Sequence, residues 1–298
     1  QAWKDSAEFY IYADGRPANH AKPIASIEVQ AIAYDALTLT AKLLPSWQSL
    51  KTKSWRLRAR TIHLMWMPDK NYFGLGISYD DKNNHHLLDT ITANPAEMLD
   101  STFFDLLDEE DYQKYISAIV EMIMGEDFLT DAGIRSRALR EASLVDMWDY
   151  HGSFTSWPKE TYDIAKGLRR HGFPRLAEEL ENRLINAIRA AGSFPEFFYI
   201  DRRNRVLGVA RSASSHGELM LVDSTNTPEK IQAWTVSAVL GIRRQRKAGI
   251  SIVQKDWQRD LEKRVLRHMP HVREFKTKRE LAARYPFYPY ELQKGVGR

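Results

Sequence analysis

The sequence predicts a mostly helical protein of nested helical hairpins, and three observations support that fold class. Long stretches with helical periodicity dominate the 298 residues. They alternate between segments that are apolar nearly all round and segments that are amphipathic, as inner and outer helices do. Stretches with strand character are few and short, and the loops between helices are long and rich in aromatic residues. This pattern favours hairpins whose loops build a site at one end over a βαβ sheet.

The first expected helix covers residues 24–44, opened by Pro23 and ended by Pro45. Apolar residues recur on nearly all its faces, so we expect an inner helix buried on every side. Glu28 and Gln30 lie in its first turns and must find polar partners or face a polar cavity. For Glu28, a structural ion pair and a ligand contact are both open.

The remaining elements follow from periodicity and from Pro and Gly at the ends of helices. A more polar, basic helix over residues 46–67 indicates an outer position, and residues 72–79 predict a short strand. Further helices are expected over residues 95–107, 109–124, 157–171, 174–191, 228–247 and 255–268.

Composition excludes several classes of protein. No run of about 18 apolar residues is present, so no membrane span is predicted. Cysteine is absent, which excludes a disulfide scaffold and a Cys-based metal site. The net charge is +4, and a basic C-terminal helical extension over residues 251–298 follows a main unit over residues 1–250. Because acidic residues interrupt the basic ones there, a solvated helix face is favoured over nucleic-acid binding. A cytoplasmic location is the default expectation.

Two acids, Asp5 and Glu196, are the main candidates for catalysis. Each is a lone carboxylate among aromatic residues, and they lie 191 positions apart. Two carboxylates facing one cavity are what glycoside hydrolysis requires, one to donate a proton and one to activate water. The alternative is an N-cap aspartate and a salt-bridged glutamate.

Two other segments carry the side chains that sugar sites use. Residues 149–160 place aromatic rings beside His151, Ser153 and carboxylates, and Gln232 and Trp234 form a second such group. Aromatic faces stack on the C–H side of a pyranose while polar groups bind its hydroxyls. Ordinary packing at helix entries remains the alternative for both segments.

Other chemistries lack a sequence signal. The histidines at 85, 86 and 216 have no partner at a metal-ligand spacing, so no metal site is expected. No Gly-rich phosphate loop leads into a helix, and no Gly-x-Ser-x-Gly elbow is present. We therefore expect neither a nucleotide, a metal nor another cofactor.

An ordered set of motifs resembles one enzyme family. The chain is similar to the (α/α)6-barrel glycoside hydrolases of the amylo-α-1,6-glucosidase type, with glucosylglycerate hydrolases and trehalases as wider relatives. The motifs that carry the resemblance are Gln1-Ala2-Trp3-Lys4-Asp5-Ser6, Pro23-Ile24-Ala25, Glu28-Val29-Gln30, Ala93-Asn94-Pro95, Gly133-Ile134-Arg135, Tyr150-His151-Gly152-Ser153 with Trp157-Pro158, residues 167–172, Pro195-Glu196-Phe197 and Gln232-Ala233-Trp234.

The resemblance implies a fold, a mechanism and a set of site residues. The fold would be an all-α (α/α)6 toroid, present here as an incomplete C-terminal portion that an N-terminal segment or another chain completes. The activity would be inverting hydrolysis of α-glucosidic bonds, with Asp5 as general acid and Glu196 as general base. Their carboxyl groups would then lie about 6.5–9.5 Å apart. The sugar-binding residues implied are Trp3, Glu28, Gln30, Arg135, His151, Trp157, Glu160, Gln232 and Trp234.

The sequence departs from the family pattern near the start of the helix at 157. Two extra residues precede Trp157, and Lys159-Glu160 stands where an aromatic residue and Asp are expected. Such changes predict an altered substrate preference or a loss of activity. A non-catalytic carbohydrate-binding relative and a helical interaction scaffold are therefore the alternatives.

Overall fold

The computed structural model describes residues 3–145, 150–207, 211–213, 219–221, 228–249 and 252–270. Gln1, Ala2, Asp149 and the tail beyond residue 270 lie outside this description. The described residues form a mostly helical fold with short strands. The helices are α1 (Ile27–Leu43), α2 (Ser49–Met65), α3 (Asn94–Glu97), α4 (Glu109–Ile123), α5 (Pro158–Arg170), α6 (Pro174–Ala191), α7 (Ala233–Ala248) and α8 (Asp256–His268).

Helical hairpins form the frame. Helices α1 and α2 pack against each other across the 3-10 turn Pro45–Trp47, and α5 packs against both α6 and α7. The turn between α5 and α6 contains Gly172 with φ +83°. The positive φ favours glycine at this position, and the side-chain amide of Gln258 from α8 lies against it.

Short antiparallel pairings hold the loops together. Strands β1 (Ala25–Ser26), β4 (Gly76–Tyr79) and β5 (His85–Leu88) form one three-stranded sheet. Strands β8 (Thr155–Ser156), β9 (Phe198–Ile200) and β10 (Val206–Leu207) form another in the order β10-β9-β8. In the second sheet Thr155 pairs with Tyr199 and Ser156 with Phe198, which brings the loop before α5 beside the segment after α6. The strands are β1 (Ala25–Ser26), β2 (Trp66–Met67), β3 (Tyr72–Phe73), β4 (Gly76–Tyr79), β5 (His85–Leu88), β6 (Leu129–Thr130), β7 (Gly133–Ile134), β8 (Thr155–Ser156), β9 (Phe198–Ile200), β10 (Val206–Leu207), β11 (Arg211–Ala213) and β12 (Leu219–Leu221).

The main hydrophobic core collects buried residues from α1, α4, α5, α6 and α8. A second, aromatic cluster lies apart from it. It contains Phe154, Trp157, Phe197 and Tyr199, with Trp3, Tyr150 and Trp234 packed against it. Apolar burial of this kind is the main stabilising contribution to such a fold. Three of the predicted sugar-binding residues, Trp3, Trp157 and Trp234, belong to this cluster or pack against it.

Three expectations about helices are wrong. The first helix begins at Ile27, because Ala25 and Ser26 pair with β4. The helix expected over residues 95–107 is a single turn, α3, followed by the 3-10 turn Met98–Asp100. Here the Ser101 hydroxyl bonds the Met98 carbonyl, and Asp35 accepts hydrogen bonds from the backbone N–H and the hydroxyl of Thr102. These side-chain bonds compete with helix continuation.

The helix expected from residue 228 begins instead at Ala233, where the Gln232 side chain accepts the first N–H. The burial expected for α1 on every side is also wrong, since Val29, Ile32, Leu39 and Leu43 are exposed. No helix in the described part of the chain is long and apolar enough to cross a membrane.

Candidate active site

Asp5 and Glu196 occupy different environments. Asp5 lies in the loop before the turn Ala7–Phe9, and its side chain is 75% exposed. Glu196 is buried between α6 and β9. One Glu196 carboxylate oxygen accepts a hydrogen bond from the Tyr150 hydroxyl, and the other accepts from the backbone N–H of Glu229 at 3.2 Å. Two donors therefore fix the orientation of the Glu196 carboxylate.

Both acids meet the dipeptide Tyr150-His151. The Asp5 Oδ1 lies 3.7 Å from His151 Nε2, while Glu196 is bonded to Tyr150. Burial raises the pKa of Tyr150, and the negative charges of Glu196 and Asp5 raise it further. The fold thus brings the two acids to one pair of adjacent side chains, although they are far apart in sequence. Their carboxyl-to-carboxyl separation stays a prediction.

Aromatic rings surround this meeting point. His151 stacks on Trp157, with ring centroids 4.6 Å apart and an interplanar angle of 26°. Trp3 meets both rings edge-on at 5.2 and 5.5 Å. Trp234 lies 6.0 Å from Trp157 and 6.4 Å from Trp3. The Trp157 indole N–H donates to the Tyr150 carbonyl at 3.2 Å, which ties the cluster to the backbone.

His151 is held in its neutral form. Burial lowers its pKa to about 2, and the positive charges of Lys4 and Arg137 lower it as well. Protonation would place a third cation in a buried region, which is costly. Beside Asp5, therefore, His151 acts as a neutral ring and not as an ion-pair partner.

A charged network lies beneath Trp3. The Trp3 indole N–H donates to both Glu97 oxygens at 3.2 Å, and the Lys159 ammonium lies 4.5 Å from the Trp3 ring centroid and 3.3 Å from Glu97. Burial disfavours the charge of Lys159, but Glu97 and Asp163 outweigh that effect and raise its pKa. A charged ammonium and a carboxylate therefore hold the indole in place.

Lys4 is fully buried and joins this network to α3 and α5. Its ammonium donates to Asn94 Oδ1 at 2.9 Å and forms an ion pair with Glu160. Glu160 also accepts from the Ser136 hydroxyl at 2.8 Å. Burial raises the pKa of Glu160, and the Lys4 charge opposes that shift. The pairing satisfies two charges that would be unfavourable to bury separately.

Glu28 lies at the edge of the same network and lines a cavity of about 320 Å³. Burial raises its pKa, the neighbouring charge of Glu97 adds to the effect, and Asn94 and Lys4 oppose it. Its Oε1 accepts a hydrogen bond from Ser26 at 3.1 Å. The cavity is also lined by Ala31, Ile32, Asp35, Glu97, Asp100, Ser101, Lys159, Asp163 and Lys166.

Sequence reasoning missed Lys4 and Glu97. Lys4 stands between two residues of the first motif, Trp3 and Asp5, and its ammonium lies 5.1 Å from the centroid of the Trp3 ring. Glu97 follows the Asn94-Pro95 motif by two residues. That motif position was the one available signal, because nothing local links Glu97 to Trp3, 94 positions away.

Three predicted residues have other contacts. The buried Arg135 guanidinium donates to the carbonyls of Ser153 and Asp201 and to Asn204 Oδ1, and burial lowers its pKa to about 9. In these contacts Arg135 positions the loop before α5. Its sugar-binding role stays a prediction.

Gln30 and Gln232 also make local bonds. Gln30 donates to the Ser26 carbonyl of the preceding turn at 3.2 Å. Gln232 caps α7 and donates to the Glu229 carboxylate at 2.9 Å, and the Glu229 backbone bonds Glu196. Gln232 is therefore linked to the candidate base, Glu196, through one intervening residue, Glu229. In the described part of the chain, no three His, Asp or Glu side chains are placed to hold a metal ion.

Comparison with known proteins adds little to this geometry. No protein-family model matches the sequence, and no curated protein matches it. Among solved structures, the chain is similar to the neutral trehalase Nth1 from Saccharomyces cerevisiae, with 14% sequence identity and a TM-score of 0.48. The match covers 80% of this chain and 40% of that one, so the chain spans less than half of the trehalase.

Proposed function

We propose that this chain carries the catalytic acids of an inverting glycoside hydrolase acting on α-glucosidic bonds. The observation that supports the proposal is the meeting of Asp5 and Glu196 at Tyr150-His151, inside an aromatic cluster. A scaffold protein has no need of two distant acids at one aromatic site. A sugar hydrolase needs both, because one acid protonates the leaving oxygen and the other activates water.

Glu196 is the proposed general base. Tyr150 and the Glu229 N–H hold its two oxygens, so the carboxylate is oriented before substrate binds. Asp5 is the proposed general acid. Its carboxyl group faces solvent, where a leaving group would depart, and its neighbour His151 is neutral. When Asp5 passes its proton to the glycosidic oxygen, it becomes a carboxylate, and water can hydrate that charge because the side chain is exposed.

The aromatic rings are proposed to bind the glycone. Trp3 and Trp234 are partly exposed at the edge of the cluster, so their faces can stack on a pyranose. Glu97 and Lys159, which hold Trp3, offer an acceptor and a donor for sugar hydroxyls. The α-glucoside preference rests on the family resemblance, as does the proposal that further helices complete a toroid.

Two substitutions test the assignment of the acids. Glu196→Gln and Asp5→Asn each remove one proton-transfer group, so hydrolysis should fall by about 10²–10⁴-fold while sugar binding remains. Glu229→Gln is the matched control, since it keeps the backbone N–H that bonds Glu196 and should keep activity within about tenfold. Proton NMR of the complete protein with isomaltose, trehalose, glucosylglycerate and a limit dextrin measures hydrolysis.

The same spectra report the stereochemistry. Under inversion, β-glucose appears first, whereas α-glucose appearing first would mean a retaining mechanism and contradict the proposed roles. Sugar binding without turnover in the wild type would favour a non-catalytic carbohydrate-binding relative. Absence of binding across the panel would favour the interaction scaffold.

A further inference from the structure

The proposed general acid, Asp5, lies in a loop that side chains hold in place. Residues 3–6 belong to no helix or strand of the described chain, and the Asp5 side chain is 75% exposed. An exposed carboxyl group has little packing of its own to fix it, yet a general acid must stay within reach of the oxygen that it protonates. The position of Asp5 therefore depends on how its neighbours anchor the backbone.

Lys4, directly before Asp5, supplies such an anchor. Its side chain is fully buried, and its ammonium donates to Asn94 Oδ1 at 2.9 Å and forms an ion pair with Glu160. The Glu97 carboxylate lies 4.0 Å from the same ammonium. Lys4 thereby joins the Asp5 loop to α3 and to the first turn of α5. A lysine is rarely buried this deeply unless it is paired, so these partners hold it in one position.

Glu160 links this anchor to the part of the site that contains the proposed base. It is fully buried, and one of its carboxylate oxygens accepts from Lys4 while the other accepts from the Ser136 hydroxyl at 2.8 Å. Both oxygens are therefore bonded inside the protein. Trp157, the residue before α5, packs edge-on against Tyr150, which donates the hydrogen bond to the proposed base. The ion pair thus connects the loop of the acid to the helix start beside the base.

A second buried cation holds the far end of the same loop. The Arg137 guanidinium donates to the backbone carbonyls of Glu8 and Phe9, at 3.1 and 2.9 Å. The Phe9 ring packs against both cations, with its centroid 4.9 Å from the Lys4 ammonium and 5.5 Å from the Arg137 guanidinium carbon. Contacts between a desolvated cation and an aromatic ring are favourable. Asp5 therefore lies, in sequence, between two anchored points.

We propose that Lys4 is a positioning residue for the general acid, and that its ion pair with Glu160 sets the place of Asp5 relative to Glu196. This inference rests on the proposed function, in which Asp5 is the acid. The exposed Asp5 side chain does not fix the loop, so the buried side chain next to it does. Such anchoring matters for the rate, because a displacement of about 1 Å in a catalytic group can lower a rate by about 10²-fold.

The alternative is that the ion pair contributes only to stability. Removing one of the two charges leaves the other buried and unpaired, which is strongly destabilising. Removing both together leaves no unpaired charge, and replacements of that kind are often tolerated. A double variant therefore separates the effect on stability from the effect on the position of the acid.

Lys4→Met and Lys4→Met/Glu160→Gln are compared with the wild type in the complete protein. The urea midpoint should be lowered in the single variant and largely restored in the double variant. For the substrate that the NMR panel identifies, kcat should fall by about 10–10²-fold in both variants, with KM within about threefold of the wild type. Recovery of kcat together with the midpoint in the double variant would overturn the proposal, since the pair would then act through stability alone.

Glu181→Gln is the matched control. Glu181, in α6 and outside the site, is a buried carboxylate in an ion pair with Arg169. Its replacement should lower the urea midpoint but keep kcat within about twofold of the wild type. An equal fall of kcat in this control would also contradict the proposal, because the loss of any buried ion pair would then lower the rate.

A distance measurement tests the anchor independently of activity. The sequence contains no cysteine, so Asp5→Cys and Gln113→Cys, at an exposed position of α4, accept spin labels specifically. The distribution of distances between the labels, measured by double electron–electron resonance, should be at least about twofold broader when Lys4→Met/Glu160→Gln is added. Equal widths would overturn the proposal whether or not the protein hydrolyses a sugar. Broadening in a protein whose wild type hydrolyses no sugar of the panel would support the anchor and contradict the hydrolase.

Discussion

At the scale of single residues, the buried carboxyl groups differ in the partner that offsets the cost of burying them. Lys4 and Glu160 are both fully buried and compensate each other. Glu141 is buried too, but its carboxylate is held mainly by the Ile91 N–H, at 3.0 and 2.9 Å. Burial raises the pKa of Glu141 to about 7, against the opposing effects of that N–H and of Arg137. Its protonation is therefore linked to folding.

Replacing Glu141 tests this linkage. Its folded pKa of about 7 exceeds the usual 4.5, so the folded chain binds the proton more tightly. That contribution to stability is fully present below pH 4.5 and is lost as the pH rises through 7, by up to about 3 kcal/mol. In Glu141→Gln, the free energy of unfolding should fall less between pH 5 and 8 than in the wild type, as urea titrations at both pH values measure.

The exposed Glu110→Gln is the control for this series and should keep the pH slope of the wild type. An unchanged slope in Glu141→Gln would show that this carboxyl does not titrate in the folded chain within that window.

At the scale of elements, the position of α5 depends on a close approach between its backbone and the backbone of the turn Met98–Asp100. Gly167 of α5 lies against the turn Met98–Asp100, where an added Cβ would come within 2.4 Å of the Leu99 Cβ and 2.7 Å of its carbonyl carbon. The helix that was expected over residues 95–107 would not offer this contact, because its side chains would keep α5 at the usual interhelical distance of 8–10 Å. The close packing of α5 therefore needs both the short turn Met98–Asp100 and a glycine at position 167.

Gly167→Ala should destabilise the fold by about 1–3 kcal/mol, since the backbone of Leu99 must move and the gain in helix propensity is only about 1 kcal/mol. Urea unfolding followed by circular dichroism measures the effect. Gly125→Ala, whose nearest contacts would be at 3.3 Å, should change stability by less than about 1 kcal/mol. Equal stabilities of the two variants would contradict the close packing of α5.

At the scale of the whole molecule, α8 is tied to the main core. Leu261 and Val265 belong to that core. Glu262 accepts from the backbone N–H groups of Arg175 and Leu176 at the start of α6, at 2.8 and 3.3 Å. Capping by an acid at a helix start stabilises the helix. These contacts predict that α8 unfolds with the rest of the described chain.

Leu261→Ala tests that prediction. Removing a buried leucine should lower the free energy of unfolding by about 2–5 kcal/mol. Tryptophan fluorescence and circular dichroism should report the same lowered midpoint. If residues 251–298 formed an independent extension, the main transition would keep its wild-type midpoint. Exposed Leu106→Ala provides the matched control and should change stability by less than about 0.5 kcal/mol.

How far the sequence predicts the structure depends on whether the signal is local. Helices α5 and α6 agree with the expected ranges within a residue or two, because Pro158, Pro174, Gly172 and Gly192 fix their ends through backbone conformation alone. The pairing of Asp5 with Glu196 as candidates came from their aromatic neighbours, a property of adjacent residues. Their roles in catalysis stay predictions.

By itself, the sequence determined helices α4, α5, α6 and α8 to within a residue or two, and it showed which acids stand among aromatic rings, since these follow from periodicity and neighbours. Only the tertiary structure decided that Lys4 and Glu97 support Trp3, that Arg135 holds a loop, and that several apolar side chains of α1 are exposed among the described residues. The physical reason is the long sequence separation between the residues that make these contacts. Contacts such as Lys4 with Glu160 join residues 156 positions apart. The apolar pattern of a helix shows which side chains favour burial, but only tertiary packing determines which of them are buried.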